Sequence, residues 1–229
     1  MNQPALTSLL LFLLATMLAA PSAAKPGWSV VKQEGGVTVW MLQEAGKRLP
    51  LIRARTRVAA EPAEVLAVIR DVDASCAWAG RCMVSRLLHR DGPHTRLYSR
   101  RSAPWPINDR DFELLATTKA IDGGRLLRVE FRQAVKARTP LPSGVVRMPV
   151  MRGHYQLRAA DGGTDVELQI EADPGGWIPD WILRWTAKNG PFASLSGLRK
   201  RVPKVRGRYA KDVAELKAWA AMAGPPAQP

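Results

Sequence analysis

Cysteine and histidine are scarce in this chain of 229 residues, with two of the first and three of the second. His89, His94 and His154 show no zinc-like spacing, and none stands at ligand spacing from Cys76 or Cys82, so no metal centre is expected. No Gly-x-Ser-x-Gly elbow is present; Ser143-Gly144 and Ser196-Gly197 lack the preceding glycine. No glycine-rich loop leads into a helix, which removes the phosphate cradle of nucleotide-binding folds. Strands and helices do not alternate along the chain, so a parallel sheet is not expected either. Most Asp and Glu residues fall on outward positions of strands, the pattern of a solvated face. Internal repeats and interdomain linkers are absent, and the length suits one sizeable domain.

Acidic side chains are also in deficit. They number 20 against 34 Lys and Arg, a formal net charge of +14 that belongs to the part beyond residue 24. Such an excess attracts polyanions, either nucleic acid or an anionic bilayer; a basic surface that only maintains solubility is the plainer reading. The first 24 residues hold no charged side chain, and Leu6 to Ala20 is apolar apart from Thr and Ser. Ser22-Ala23-Ala24 supplies the small residues a signal peptidase needs. Residues 1–24 therefore read as a signal peptide and the product as exported to the periplasm. An uncleaved inner-membrane anchor is the alternative. Export removes nucleic acid as a partner and leaves the membrane surface. In an oxidising compartment Cys76 and Cys82 form a local disulfide around Trp78, or else stay as two small buried thiols.

What the chain does have is alternation with period two. Val37, Val39 and Met41 share one strand face, and Ile52, Ala54, Thr56 and Val58 share the next, opposite Arg53, Arg55 and Arg57. Phe112, Leu114, Ala116 and Thr118 continue the pattern, as do Leu127, Val129, Phe131 and Val135. It is clearest in Val166, Leu168, Ile170 and Ala172 against Asp165, Glu167, Gln169 and Glu171. Asp91-Gly92, Asp122-Gly123-Gly124 and Asp161-Gly162-Gly163 lie between such runs and read as hairpin turns, so a meander is the simplest topology. Helical periodicity appears from Pro62 to Asp71, and again from Pro179, where Asn189-Gly190-Pro191 predicts a break or kink. A further helix is expected after Pro203, running to about Ala223, with residues 224–229 as a disordered tail.

Two fragments carry a family likeness. Pro104-Trp-Pro-Ile-Asn-Asp-Arg-Asp-Phe112 and Asp173-Pro-Gly-Gly-Trp-Ile-Pro-Asp-Trp181, with Gly36-Val-Thr-Val39 and Asp71 followed by Trp78, resemble the steroidogenic acute regulatory protein-related lipid-transfer (START) family over about Trp28 to Val202. The stretch between Arg132 and Met151 departs from the family pattern. The resemblance implies an α+β helix-grip fold over residues 25–223: a curved antiparallel sheet closed by a long C-terminal helix around a hydrophobic cavity. It implies binding, and by extension transfer, of one lipid, such as a sterol-like molecule or a phospholipid, without a cofactor and without catalysis.

Candidate contacts follow. Arg110, flanked by Asp109 and Asp111, is the expected polar anchor, or else an internal salt bridge tying a loop to the sheet. Trp105 sits at the cavity mouth or the bilayer interface, or caps the core. Phe112 and Tyr155 are taken as further lipid contacts. Phe192, Leu195 and Leu198 share one face of the closing helix, where core and cavity wall coincide. Arg199, Lys200, Arg201, Lys204, Arg206, Arg208 and Lys211 offer a transient dock on anionic lipid, or a solvated face. Helix-grip enzymes supply the rival reading, a cyclase or hydrolase with His154 beside Tyr155 and Asp109 or Asp111 as acid and base. A third is an interaction module with a basic docking face. A monomer is expected.

Overall fold

The structure, a computed structural model, describes residues 27–47 and 49–222, so the proposed signal segment 1–24 and the tail 224–229 lie outside it. Three strands open the chain: β1 (Ser29–Glu34), β2 (Val37–Leu42) and β3 (Leu51–Val58). Helix α1 (Pro62–Arg70) follows, and then β4 (Cys82–Asp91), β5 (His94–Arg101), β6 (Asp109–Ile121) and β7 (Leu126–Gln133). The short β8 (Val145–Arg147) precedes β9 (Val150–Ala160) and β10 (Gly163–Asp173); α2 (Asp180–Lys204) and α3 (Ala210–Ala221) close the order.

The period-two pattern does what strand geometry requires. On β3, Ile52, Ala54, Thr56 and Val58 are buried, while Arg55 and Arg57 face outward and pair with Glu167 and Asp165 of β10 at 2.6 and 2.8 Å. Asp-Gly turns join β4 to β5 and β9 to β10, with Gly92 and Gly162 at positive φ. Helix α1 starts on Pro62 behind a capping box in which the Glu61 amide donates to the Glu64 carboxylate at 2.9 Å, and it buries Val65 and Leu66.

The topology is more than a meander. The sheet runs β1-β2-β3-β10-β9-β7-β6-β5-β4, so a three-strand and a six-strand antiparallel run meet where β3 pairs with β10. Residues more than 100 apart, such as Thr56 and Val166, form that seam, and no local turn signal encodes it. One parallel pairing also occurs, β8 on β6. Strand β1, a largely exposed edge, carries no alternation from which to read it.

Helix α2 corrects the expected break. It runs unbroken for 25 residues through Gly190 and Pro191. Pro191 has no N–H for the carbonyl four residues back, a defect that costs a free helix dearly. Here Ile182, Pro191, Leu195 and Leu198 are all buried along the helix, and the Asn189 side-chain amide donates to the Trp185 carbonyl at 2.9 Å. Tertiary burial outweighs the local signal. Val135 is corrected too: β7 ends at Gln133, and Val135 is 90 % exposed on the loop beyond it.

Candidate ligand site between the sheet and the long helix

The inner face of the sheet combines fully shielded side chains with partly accessible ones. Paired residues share a face, so Val37, Thr56, Val166, Leu157 and Leu127 form one row across it, and the apolar members of that row are almost fully shielded. Leu195 and Leu198 of α2 are equally shielded and belong to that closed core. Beside inward residues that stay buried, among them Phe112, Leu114, Phe131 and Leu168, others keep accessible surface: Tyr155, Met151, Ile170, Ala172 and, on the helix side, Phe192. Two surface grooves of about 450 and 440 Å³ lie elsewhere, one among α1, the end of α2 and α3, the other on the solvated sheet face.

Tyr155 is held deep in the molecule, where burial pushes its phenol up to about 12. Its ring tilts against Phe131 at 6.1 Å between centroids. Tyr155 nevertheless keeps some accessible surface. The same holds for Arg101, the last residue of β5, whose guanidinium burial pulls down. Arg101 lies over the Phe112 ring at 5.8 Å and donates from Nη1 to the Gly80 carbonyl at 3.0 Å. Phe112 itself is buried on the same inner face.

Arg110 is buried on that face as well, but not in a carboxylate pair. Its Nε donates to Pro174 O at 3.2 Å, its Nη2 to Gly175 O at 3.1 Å and its Nη1 to Asn108 O. Asp109 pairs instead with Arg100 at 2.6 Å, and Asp111 with Arg147 at 2.7 Å. Arg110 thus ties the Asp-Pro-Gly-Gly loop to the head of β6 through backbone oxygens. The two sequence fragments that carry the family likeness meet at this one guanidinium.

The carboxylates on the outer face of β6 depart from the solvated pattern. Asp111 and Glu113 are fully buried beneath the 134–147 loop. Glu113 accepts from Thr139 N and Oγ1 at 3.0 and 2.9 Å, from Arg138 N at 2.9 Å and from Arg96. The stretch that departs from the family pattern is therefore latched onto the sheet by buried charge. His154 also projects from the outer face, 3.7 Å from Glu167, and so stands on the opposite side of the sheet from Tyr155. Asp109, Asp111 and His154 are not assembled into an acid–base set.

The Cys76–Cys82 segment packs against the long helix. The two sulfurs are bonded, 2.01 Å apart, and the loop between them lies against α2. A Cβ on Gly197 would overlap the Trp78 carbonyl oxygen and stand 2.8 Å from its carbon; one on Gly80 would stand 2.5 Å from the Ala193 Cβ. Gly80 N also donates to Ser194 Oγ at 3.3 Å. Two glycines thus let helix and loop touch backbone to backbone, a contact that no sequence pattern announced.

Exposed aromatics stand on the loops that lead into β6 and α2. Trp105 is 89 % exposed on the β5–β6 loop, and so does not cap the core; Trp177 and Trp181, on the approach to α2, are 82 % and 61 % exposed. Arg81 bridges the two segments, bonding Ser102 O at 2.7 Å and lying 5.6 Å from the Trp185 ring. The basic stretch sits toward the far end of α2, with part of it engaged: Arg199 bonds Gly35 O, and Arg206 bonds Ala59 O at 2.7 Å.

Known proteins share this arrangement. A solved structure described as a STAR-related lipid transfer protein from Xanthomonas axonopodis matches with a TM-score of 0.71 and 32 % identity, covering 77 % of this chain and 99 % of that one. An uncharacterised protein of Pseudomonas aeruginosa is 31 % identical over 186 residues, 81 % of this chain and 91 % of its own length. Mouse phosphatidylcholine transfer protein is 25 % identical over 179 residues, 76 % of this chain and 82 % of its own. The START domain family model matches residues 12–207, and the chain belongs to that family.

Proposed function

We propose that this protein holds one hydrophobic molecule between the sheet and α2, and exchanges it with membranes of the bacterial cell envelope after export. The observation that carries this reading is the set of inward apolar side chains that keep accessible surface next to a closed core. Val37, Leu157 and Leu195 are closed off, whereas Tyr155, Met151, Ile170 and Phe192 stay accessible. A lipid tail laid there leaves water at about 25 cal/mol per Å² of apolar area, which offsets the packing the empty fold forgoes. The names of the relatives support lipid as the ligand class, and the fold needs no covalent chemistry to perform it.

Exchange is proposed at the tryptophan end. Trp105, Trp177 and Trp181 suit the bilayer interface, whereas the basic stretch from Arg199 onward begins about 27 Å farther along α2 than Trp181, at 1.5 Å per residue. The exposed cations of that stretch then act as a longer-range attraction to anionic lipid. Incubation with total envelope lipid, followed by native mass spectrometry, is expected to show one enriched lipid class at one molecule per chain. Recovery of a bare chain would end the carrier reading. Trp105→Ala with Trp177→Ala is expected to slow transfer between vesicles by about an order of magnitude while leaving bound lipid unchanged at equilibrium.

A further inference from the structure

At the end of β5, just before the loop that bears Trp105, the protein keeps an arginine without an acid. Arg96, Arg100 and Arg147, close by on the outer face, each have a carboxylate within hydrogen-bond distance. Arg101 has none among the described residues; its recorded polar contact is the single bond from Nη1 to Gly80 O. That bond leaves free the edge formed by Nε and Nη2, the edge with which Arg147 grips both oxygens of Asp111 at 2.9 and 2.7 Å. Tyr155 stands on the same inner face of the sheet, and the two side chains interact electrostatically. Gln133, on the same inner face, adds a buried amide oxygen with no partner.

A buried cation without a counter-charge is costly, and a protein retains one where something else supplies the charge. The guanidinium fork presents two parallel donors, which match two oxygens on one anionic centre, and the Tyr155 phenol on the same face is a further donor. Apolar walls surround it: Phe112 beneath the guanidinium, Phe131 against the phenol, and Met151, Ile170 and Ala172 farther along.

Building on the carrier reading above, we infer that Arg101 and Tyr155 form an anion-recognising anchor, and that the ligand is a singly tailed or slender amphiphile with a carboxylate or phosphate head. The head sits inward on Arg101 and the tail runs along Tyr155 and Met151 under α2. Arg110, with its nitrogens engaged by three carbonyls, acts as scaffold to this anchor.

Three probes of equal chain length test it by titration calorimetry on the purified protein: oleate, oleoyl lysophosphatidic acid and oleyl alcohol. At least one acid is expected to bind about 10- to 100-fold more tightly than the alcohol, the range of a charge-assisted hydrogen bond, and the better of the two acids tells carboxylate from phosphate. Arg101→Gln should erase that preference while leaving alcohol binding in place, Arg101→Lys should retain part of it, and Tyr155→Phe should weaken the acid by about fivefold. Thermal melts establish that each variant folds; if Arg101→Gln does not, the Lys and Phe variants carry the test. Equal affinity for acid and alcohol in the wild-type protein overturns the anchor and leaves the carrier. Failure of all three probes to bind overturns both.

Discussion

Replacing Glu113 by alanine is expected to remove about 3–5 kcal/mol of folding stability, the usual cost of stranding the partner of a buried ion pair. The loss has two parts. Arg96 loses its counter-charge, and two backbone amides and one hydroxyl of the 134–147 loop lose their common acceptor. Glu113→Gln keeps an acceptor and should cost less. Urea unfolding measures both, and an alanine variant within about 1 kcal/mol of wild type would show that the latch is idle. The same group gives the pH dependence its sign. Burial opposes ionisation of Glu113, but the bonds from Thr139, Arg138 and Arg96 together outweigh it and hold its pKa below the ordinary value. A depressed carboxylate pKa stabilises the fold above the unfolded value of about 4.3, and that contribution is lost as pH falls through the folded one. Stability should therefore decline below about pH 4.5, and Glu113→Gln should flatten that part of the curve.

Two glycines of one helix are expected to respond in opposite directions. Gly190→Ala meets nothing within 4 Å and should raise stability by up to about 1 kcal/mol through helix propensity alone. Gly197→Val gains the same propensity in part, yet its Cβ collides with the backbone of Trp78, which no side-chain rotation relieves. A net loss of about 3 kcal/mol is expected, with faster hydrogen exchange at Trp78 to Gly80 as α2 lifts from the disulfide loop. On the carrier proposal, the variant should also release its ligand faster. Matching stabilities for the two variants would mean that helix and loop are not in contact in solution.

Much of the scaffold was legible. Strand faces, hairpin turns and the start of α1 follow from residues within a few positions of one another, so Ile52-x-Ala54-x-Thr56-x-Val58 reads correctly without knowing its neighbours. Pro191 misled for the same reason: its helix-breaking effect is local, and the burial that overrides it comes from strands over 100 residues away. The site was harder to read. Arg110 drew attention because acids flank it in sequence, but a strand sends Asp109 and Asp111 to the face opposite Arg110, where Arg100 and Arg147 take them.

Arg100 and Arg101 show where the line falls. As adjacent residues of one strand they had to point to opposite faces, and that much the chain determined alone, because alternation is a property of the extended backbone. Which of them would find an acid was decided only by tertiary structure. The outer face brings Asp109 to Arg100, while the inner face brings Arg101 the Phe112 ring and no acid among the described residues. Pairing across a sheet is set by register between distant segments, and no short-range rule along the chain contains it.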